Sequence, residues 1–413
     1  MFLEEYVAEE QRQPLRVELK GALPFSPAAP REIAELGLRI EDLPTPVMVL
    51  AADEIDHNAT TVARWCVDQG VELAPHGKTT MAPSLWLRQL QAGAWGITVA
   101  NEHQLAVALD AGVRRIQVAT PIARPGAMAP VRDALQRGEL DEALIWADSP
   151  AAVLAAGGSG PGPRIGVLVD VGSRGARTGV RSLADAARVA DAVRDADGLA
   201  LRGIGAYEGA VPGVHHDQRR LRAYLSDVVA AFHLVAPRVP TGTAVLSIGG
   251  SAGIAETVRL VREGLGDTSA RVIVRSGVSI AHDDGYYEGM KEPALPLHAA
   301  VAVWGRVVSA PEPGLALVDV GRRDIGYDQG MPLVLGIHRG PQSVAAGARV
   351  TALDDQHAYL ALDSGTASVE VGDLVEFGVS HPCTTFDRWP VIATVQHRGD
   401  PSAAIVGAIR THF

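Results

Sequence analysis

Between about Thr45 and Tyr287 the sequence repeats one theme. Short β-branched apolar runs alternate with stretches in which apolar residues recur every three or four positions. The runs are PVMVL, VELAPHG, GITVAN, RIQVAT, EALIWAD, RIGVLVDVG, LRGIGAY, AVLSIGG and RVIVRSG, and the stretches between them include EIDHNATTVARWCVDQ and SLADAARVADAVRDA. Strands alternating with helices of this length imply parallel βαβ units, because parallel neighbours need a long crossover. Eight or nine such units within about 250 residues predict a closed (β/α)₈ barrel rather than an open doubly wound sheet. No run carries G-x-G-x-x-G between a strand and a helix. Gly203 and Gly205 lead to Gly209 at the wrong distance, which argues against a dinucleotide site.

After about Lys291 the helical period is lost. AAVAVWGRVVSA, GLALVDVG, ARVTALDDQHAYLAL and LVEFGVS are strand-like with turn signals between them, the pattern of a smaller all-β domain. Residues 1–40 hold Pro-rich turns and a short helix candidate, REIAELG. The expected organisation is therefore an N-terminal extension (1–40), an α/β TIM barrel (41–290) and a C-terminal antiparallel β-domain (291–413). A net charge of −11 argues against nucleic acid or an anionic membrane as partner, since both need a basic footprint. Cys66 and Cys383 are the only cysteines, the N-terminus MFLEEYVAEE is acidic, and no apolar run nears the ~18 residues of a membrane helix. These features predict a cytoplasmic protein without a disulfide framework.

In such a barrel, catalytic groups stand at the carboxyl ends of the strands. In VELAPHGKTT the segment Gly77-Lys78-Thr79 lacks the glycine that a nucleotide-binding loop needs at position 72, where Glu72 stands. Lys78 then offers its amine for carbonyl capture, the alternative being an ordinary exposed lysine. His76 and Lys78, two apart on a strand, are expected to face the same way at the barrel mouth, and they are the catalytic candidates. Later strand ends bring Asp170, Arg174 and Arg177, then Tyr207-Glu208-Gly209, Gly249 to Gly253, and Ser276 to Ser279. Glycine-flanked serines suit a phosphate held by backbone N–H groups, although small residues also fit any tight βα loop. In SHPCTTFDRW, His381 and Cys383 would project to one face of an extended chain. Imidazole with thiolate suits Zn²⁺, and only two protein ligands would imply a catalytic rather than a closed structural site; burial for packing is the alternative. Asp387 and Arg388 are expected to contact backbone rather than a substrate carboxylate.

PHGKT, DVGSRGARTGV (Asp170 to Val180), AYEG and the late HPC, in that order, resemble the D-serine dehydratase/D-threonine aldolase family, pyridoxal-phosphate enzymes related to alanine racemase. The resemblance spans about Leu43 to Trp389. It implies that Lys78 is joined to pyridoxal 5'-phosphate, that Tyr207 sits by the pyridine nitrogen and that Arg177 lies near the phenolic oxygen. Gly250, Ser251, Gly277 and Val278 would lie around the phosphate, and His381 and Cys383 would hold Zn²⁺ (or Mn²⁺) beside a small D-amino acid substrate. Many members read R-P-H-x-K-T-H-K, whereas here Ala74 replaces the arginine and Thr80-Met81 the final pair. Aldolase relatives often carry an aspartate where Cys383 stands. That difference points to dehydration and deamination of a D-β-hydroxy-α-amino acid, of the D-serine type, to a 2-oxo acid and ammonia. The alternative on the same scaffold is retro-aldol cleavage to glycine and an aldehyde. A non-catalytic pyridoxal-phosphate carrier fits less well, because such relatives are bare barrels. The resemblance also implies a homodimer.

Overall fold

The computed structural model describes residues 2–16, 19–21, 28–158, 162–214, 217–240, 242–250, 253–290, 292–340, 342–344, 347–363 and 369–413. The chain divides into two compact units. One is made chiefly of Val62–Lys78 and Gln89–Gly277, the other of Glu4–Thr61, Thr79–Arg88 and Val278–Phe413.

The first apolar run forms β1 (Val47–Ala51). The next eight form β2 (Glu72–Leu73), β3 (Ile97–Val99), β4 (Arg115–Pro121), β5 (Glu142–Ala147), β6 (Ile165–Val171), β7 (Leu199–Ala206), β8 (Val245–Ile248) and β9 (Arg271–Val274). In the first unit, β2 to β9 make one parallel sheet in the order β2-β9-β8-β7-β6-β5-β4-β3. Trp95 N–H donates to the Leu73 carbonyl (2.7 Å) and Thr98 N–H to that of Pro75 (2.9 Å), and a bridge joins His76 to Thr98. These bonds link the two end strands and close the expected barrel. Its interior packs Ala74, Leu144, Trp146, Leu168, Val245 and Ile273. Gln117 and Ser247, both fully buried, satisfy each other through bonds of 2.8 and 3.1 Å, as buried polar groups must. The helix Leu183–Asp195 shows the local logic of the outer ring. Ser182 caps it by accepting from Asp185 N–H, and Ala186, Val189, Ala190 and Val193, three or four apart, form its buried stripe.

The second unit adds β10 (Val301–Glu312), β11 (Leu315–Val318), β12 (Leu333–Arg339), β13 (Gln342–Ser343), β14 (Ala348–Leu353), β15 (Ala358–Leu362), β16 (Leu374–Gly378), β17 (Val391–Val395) and β18 (Ile405–Arg410). They form a sheet ordered β13-β12-β16-β10-β1-β17-β18, with β11 joining β10 to β15 and β14 flanking β15. All pairs are antiparallel except β1–β17.

Two placements differ from the sequence expectation. PVMVL, counted among the barrel runs, is a central strand of the second sheet, between β10 and β17. All five residues of β1, Val47–Ala51, are buried, so it lacks the alternation that marks a one-sided strand, and it reads alike in a barrel or in a sheet covered on both faces. Residues 1–40 are not set apart either. Leu15, Ile33 (in the 3₁₀ helix Pro30–Leu36) and Ile40 join Trp304, Val391 and Ile405 in one apolar core. The second unit also takes in residues 278–290. Among the described residues, no helix is long and apolar enough to cross a membrane.

Candidate functional site

In the first unit the site grows from strand ends. β2 stops at Leu73, and Lys78 lies on the 3₁₀ turn Gly77–Thr79. The expected strand alternation of His76 and Lys78 therefore does not apply; a tight turn presents the half-buried lysine instead. His76 Nδ1 is enclosed without a hydrogen-bond partner. Burial holds the His76 imidazole well below its usual range, and Lys78, Arg275 and Arg177 push the same way, so the ring is neutral at pH 7.

The guanidinium of Arg177 lies 4.6 Å over the Tyr207 ring, within cation–π range. Tyr207 N–H donates to the Tyr224 hydroxyl (3.2 Å), which donates to the Val171 carbonyl (2.6 Å). Trp146, Asp170, Arg177, Tyr207 and Tyr224 line a small cavity. Burial is the main cause that pushes Asp170 up to about 6, and Trp146 Nε1 and Asp170 Oδ2 lack partners there. Arg275, which the sequence did not single out, is buried beneath Trp146 at 4.5 Å. It donates to Ser247 Oγ and to the Ala206 carbonyl, both at 2.8 Å. Burial lowers it to about 10, so it stays charged. Its one signal is a cation directly after the apolar stretch Val272-Ile273-Val274.

The glycine-rich strand ends have partners of their own. Gly249 and Gly250 donate their N–H groups to the Glu208 carboxylate at 3.1 and 2.6 Å. Ser251 lies outside the described residues. A Cβ on Gly277 would stand 2.3 Å from the His76 carbonyl oxygen, so this glycine serves close backbone approach. Val278 is buried at the head of the 3₁₀ turn Val278–Ile280, in the second unit. The amine of Lys78, the Arg177–Tyr207 pair and the unmet polar atoms of the cavity fit a polar ring cofactor such as pyridoxal phosphate.

In the second unit, His381 and Cys383 are not on extended chain. Pro382 is helical, and Cys383 opens the short helix Cys383–Phe386, so a turn rather than strand alternation brings the pair together. Asp328 Oδ2 lies 2.8 Å from His381 Nδ1, and Asp328 Oδ1 accepts from the Thr384 hydroxyl. Burial works to lower the His381 pKa, but hydrogen bonds and charge from Cys383 and Asp328 outweigh it and push it up to about 9. Thr79 Oγ1 is 3.4 Å from Cys383 Sγ. The turn is anchored by Ser380 Oγ donating to the Gly330 carbonyl (2.7 Å) and by buried Trp389 donating to that of Asp324 (2.8 Å). Arg388 binds backbone, the Arg322 carbonyl at 2.9 Å, together with Asp387. Asp328 was not visible in sequence, standing 53 residues before its histidine. Among the described residues no three His, Cys, Asp or Glu side chains converge to hold a metal. A thiol and an imidazole joined by one hydrogen bond, the imidazole oriented by a carboxylate, nevertheless suit a borderline-soft divalent ion with positions left open.

A family model described as a putative serine dehydratase domain matches residues 300–395, which include His381 and Cys383. The chain is 26% identical over 367 residues to a D-threonine aldolase from Arthrobacter sp., covering 86% of this chain and 89% of that one. Both matches support the resemblance to the D-serine dehydratase/D-threonine aldolase family. The chain is also 24% identical over 378 residues to a D-threo-3-hydroxyaspartate dehydratase from Delftia sp. (strain HT23), covering 84% and 93% of the two chains. In fold it resembles the crystal structure of D-threonine aldolase from Filomicrobium marinum, with a TM-score of 0.76, 22% identity and coverage of 91% and 96%.

Proposed function

We propose that this protein is a member of that family and a pyridoxal-phosphate- and divalent-metal-dependent lyase. It dehydrates and deaminates D-β-hydroxy-α-amino acids of the D-serine type to a 2-oxo acid and ammonia. The carrying observation is the Asp328–His381–Cys383 group, a nitrogen–sulfur donor pair oriented by a carboxylate. Its chemistry suits activation of a β-hydroxyl, and two of the relatives are named for 3-hydroxyaspartate substrates.

Bound at Lys78, pyridoxal phosphate supplies the sink for the electrons of the bond broken at Cα. A divalent ion on His381 and Cys383 supplies Lewis acidity toward the leaving hydroxyl. The other roles fall to side chains. The Lys78 amine accepts the Cα proton. His76, held neutral beside it, adds no further positive charge. Arg177 and Tyr207, in contact, orient the cofactor ring. Asp328 engages Nδ1 of His381, so the other ring nitrogen is the one left for an ion. The resemblance supports a homodimer, which mass photometry of the purified protein would check, and the low cysteine count supports a cytoplasmic location.

The second reading is retro-aldol cleavage, favoured by the 26% identity to a D-threonine aldolase. A product assay with D-serine, D-threonine and D-threo-3-hydroxyaspartate, with and without chelator, separates the two. Oxo acid and ammonia, lost on chelation and restored by Zn²⁺, support the dehydratase. Glycine and an aldehyde replace it with the aldolase, and neither product refutes both.

A further inference from the structure

Glu208 is a carboxylate 1% exposed to solvent, at the start of the 3₁₀ turn Glu208–Ala210 that follows β7. None of the roles above uses it. Its oxygens accept the N–H groups of Gly249 and Gly250 at 3.1 and 2.6 Å. These are the amides that a glycine-rich strand end would offer to a bound anion. A buried carboxylate needs such donors, and buried Arg275 adds positive charge acting on it.

The turn is built around this contact. A Cβ on Gly249 would meet the Glu208 oxygens at 2.7 and 2.8 Å and the Tyr207 ring at 2.5 Å, and Gly250 has φ +97°. Only glycine tolerates both positions without displacing the carboxylate or straining the backbone. Tyr207, Glu208 and Gly249 thus interlock, joining the end of β7 to the end of β8.

We infer that Glu208 is a positioning residue for the cofactor. Its carboxylate fixes the Gly249–Gly250 turn relative to the Tyr207 ring, so one buried contact sets the spacing between the phosphate end and the ring end of pyridoxal phosphate. The inference rests on the pyridoxal-phosphate function proposed above. It also changes what Gly250 does: its amide serves Glu208, and the turn is shaped by an internal anion.

The test compares pyridoxal phosphate with pyridoxal, which has the same ring and aldehyde but no phosphate, in absorbance titrations of wild type and Glu208→Gln. Glutamine keeps the shape but sets an amide N–H against a backbone N–H, so one of the two bonds is lost. The expected result is about a tenfold weaker affinity for pyridoxal phosphate, with pyridoxal binding unchanged within about twofold. Equal losses for both ligands would make Glu208 a general support of the barrel mouth and overturn the inference. Unchanged or tighter pyridoxal phosphate binding would overturn it too, the tighter case meaning that the carboxylate competes with phosphate. Glu208→Asp keeps the charge and withdraws it by one methylene, so it should show the same phosphate-selective loss if the glutamine variant does not fold. Failure of wild type to bind either ligand would instead remove the pyridoxal-phosphate function itself.

Discussion

His76 and His381 are one side chain in two opposite settings. His76 sits enclosed in the first unit, where burial and three cations, Lys78, Arg275 and Arg177, all drive it neutral. His381 stands on a turn of the second unit, where Cys383 and Asp328 outweigh burial and carry its pKa to about 9. The difference shows that neighbours, rather than residue type, divide the labour. A cation-rich strand-end cluster suits an anionic cofactor and amine chemistry. A turn supplied with carboxylate and thiol suits a cation. The two settings make separate demands, so they can be broken separately.

The largest effect is expected in the cation-rich setting. Lys78→Ala should lower activity on the order of a thousandfold or more and abolish absorbance at about 400–430 nm. A retained chromophore that borohydride reduces would place the cofactor on another lysine. Cys383→Ala breaks the other side. It should keep the chromophore while activity falls about a hundredfold or more, and full activity would take the ion out of the chemistry. Asp328→Asn sharpens the contrast, because it removes the charge behind His381 and leaves both proposed metal ligands in place. Zn²⁺ affinity, read by competition with a chromogenic chelator, should fall about 10- to 100-fold. Unchanged affinity would mean that Asp328 only ties the turn together.

The smallest effect tests a buried acid outside both settings. Glu376, on β16, is 4% exposed with Oε1 unpartnered. Burial pushes it up to about 7 from an ordinary 4.5, against the pull of Arg398. A raised folded pKa means that its stabilising contribution is complete below about pH 4.5 and is lost as pH rises through 7. At about 1.4 kcal/mol per pH unit, the loss is at most about 3.5 kcal/mol over that window. Glu376→Gln should flatten the profile, so that its melting temperature at pH 8 exceeds that of wild type by a few degrees. Parallel pH profiles for the two proteins would show that Glu376 is ionised and satisfied throughout.

Much of the barrel was legible because its strands and helices announce two different periods. Eight of the nine apolar runs became β2 to β9, and the ninth went elsewhere because full burial erases the face that a strand belongs to. The site was legible in its residue types and less so in its geometry. Strand alternation was expected to pair Lys78 with His76 and Cys383 with His381, yet Lys78 and Cys383 are presented by helical turns. A proline between His381 and Cys383 was the overlooked cue. Asp328 and Thr79 could not have been found, since hydrogen bonds across 53 and 304 residues leave no local pattern. Glu208 was quoted in a motif, but nothing in AYEG says that its oxygens reach two glycines some forty residues later.

The boundary between the two compact units falls between Lys78 and Thr79, and again between Gly277 and Val278. The peptide that leaves the proposed cofactor lysine therefore continues directly into the unit that holds His381, and Thr79 already touches Cys383. Anyone seeking to transplant the half that carries His381 and Cys383 onto a foreign barrel, or to express either half alone, could not do it with one cut. The sequence interleaves the two units, so a chimera must be spliced at several joints, one of them beside the proposed cofactor lysine.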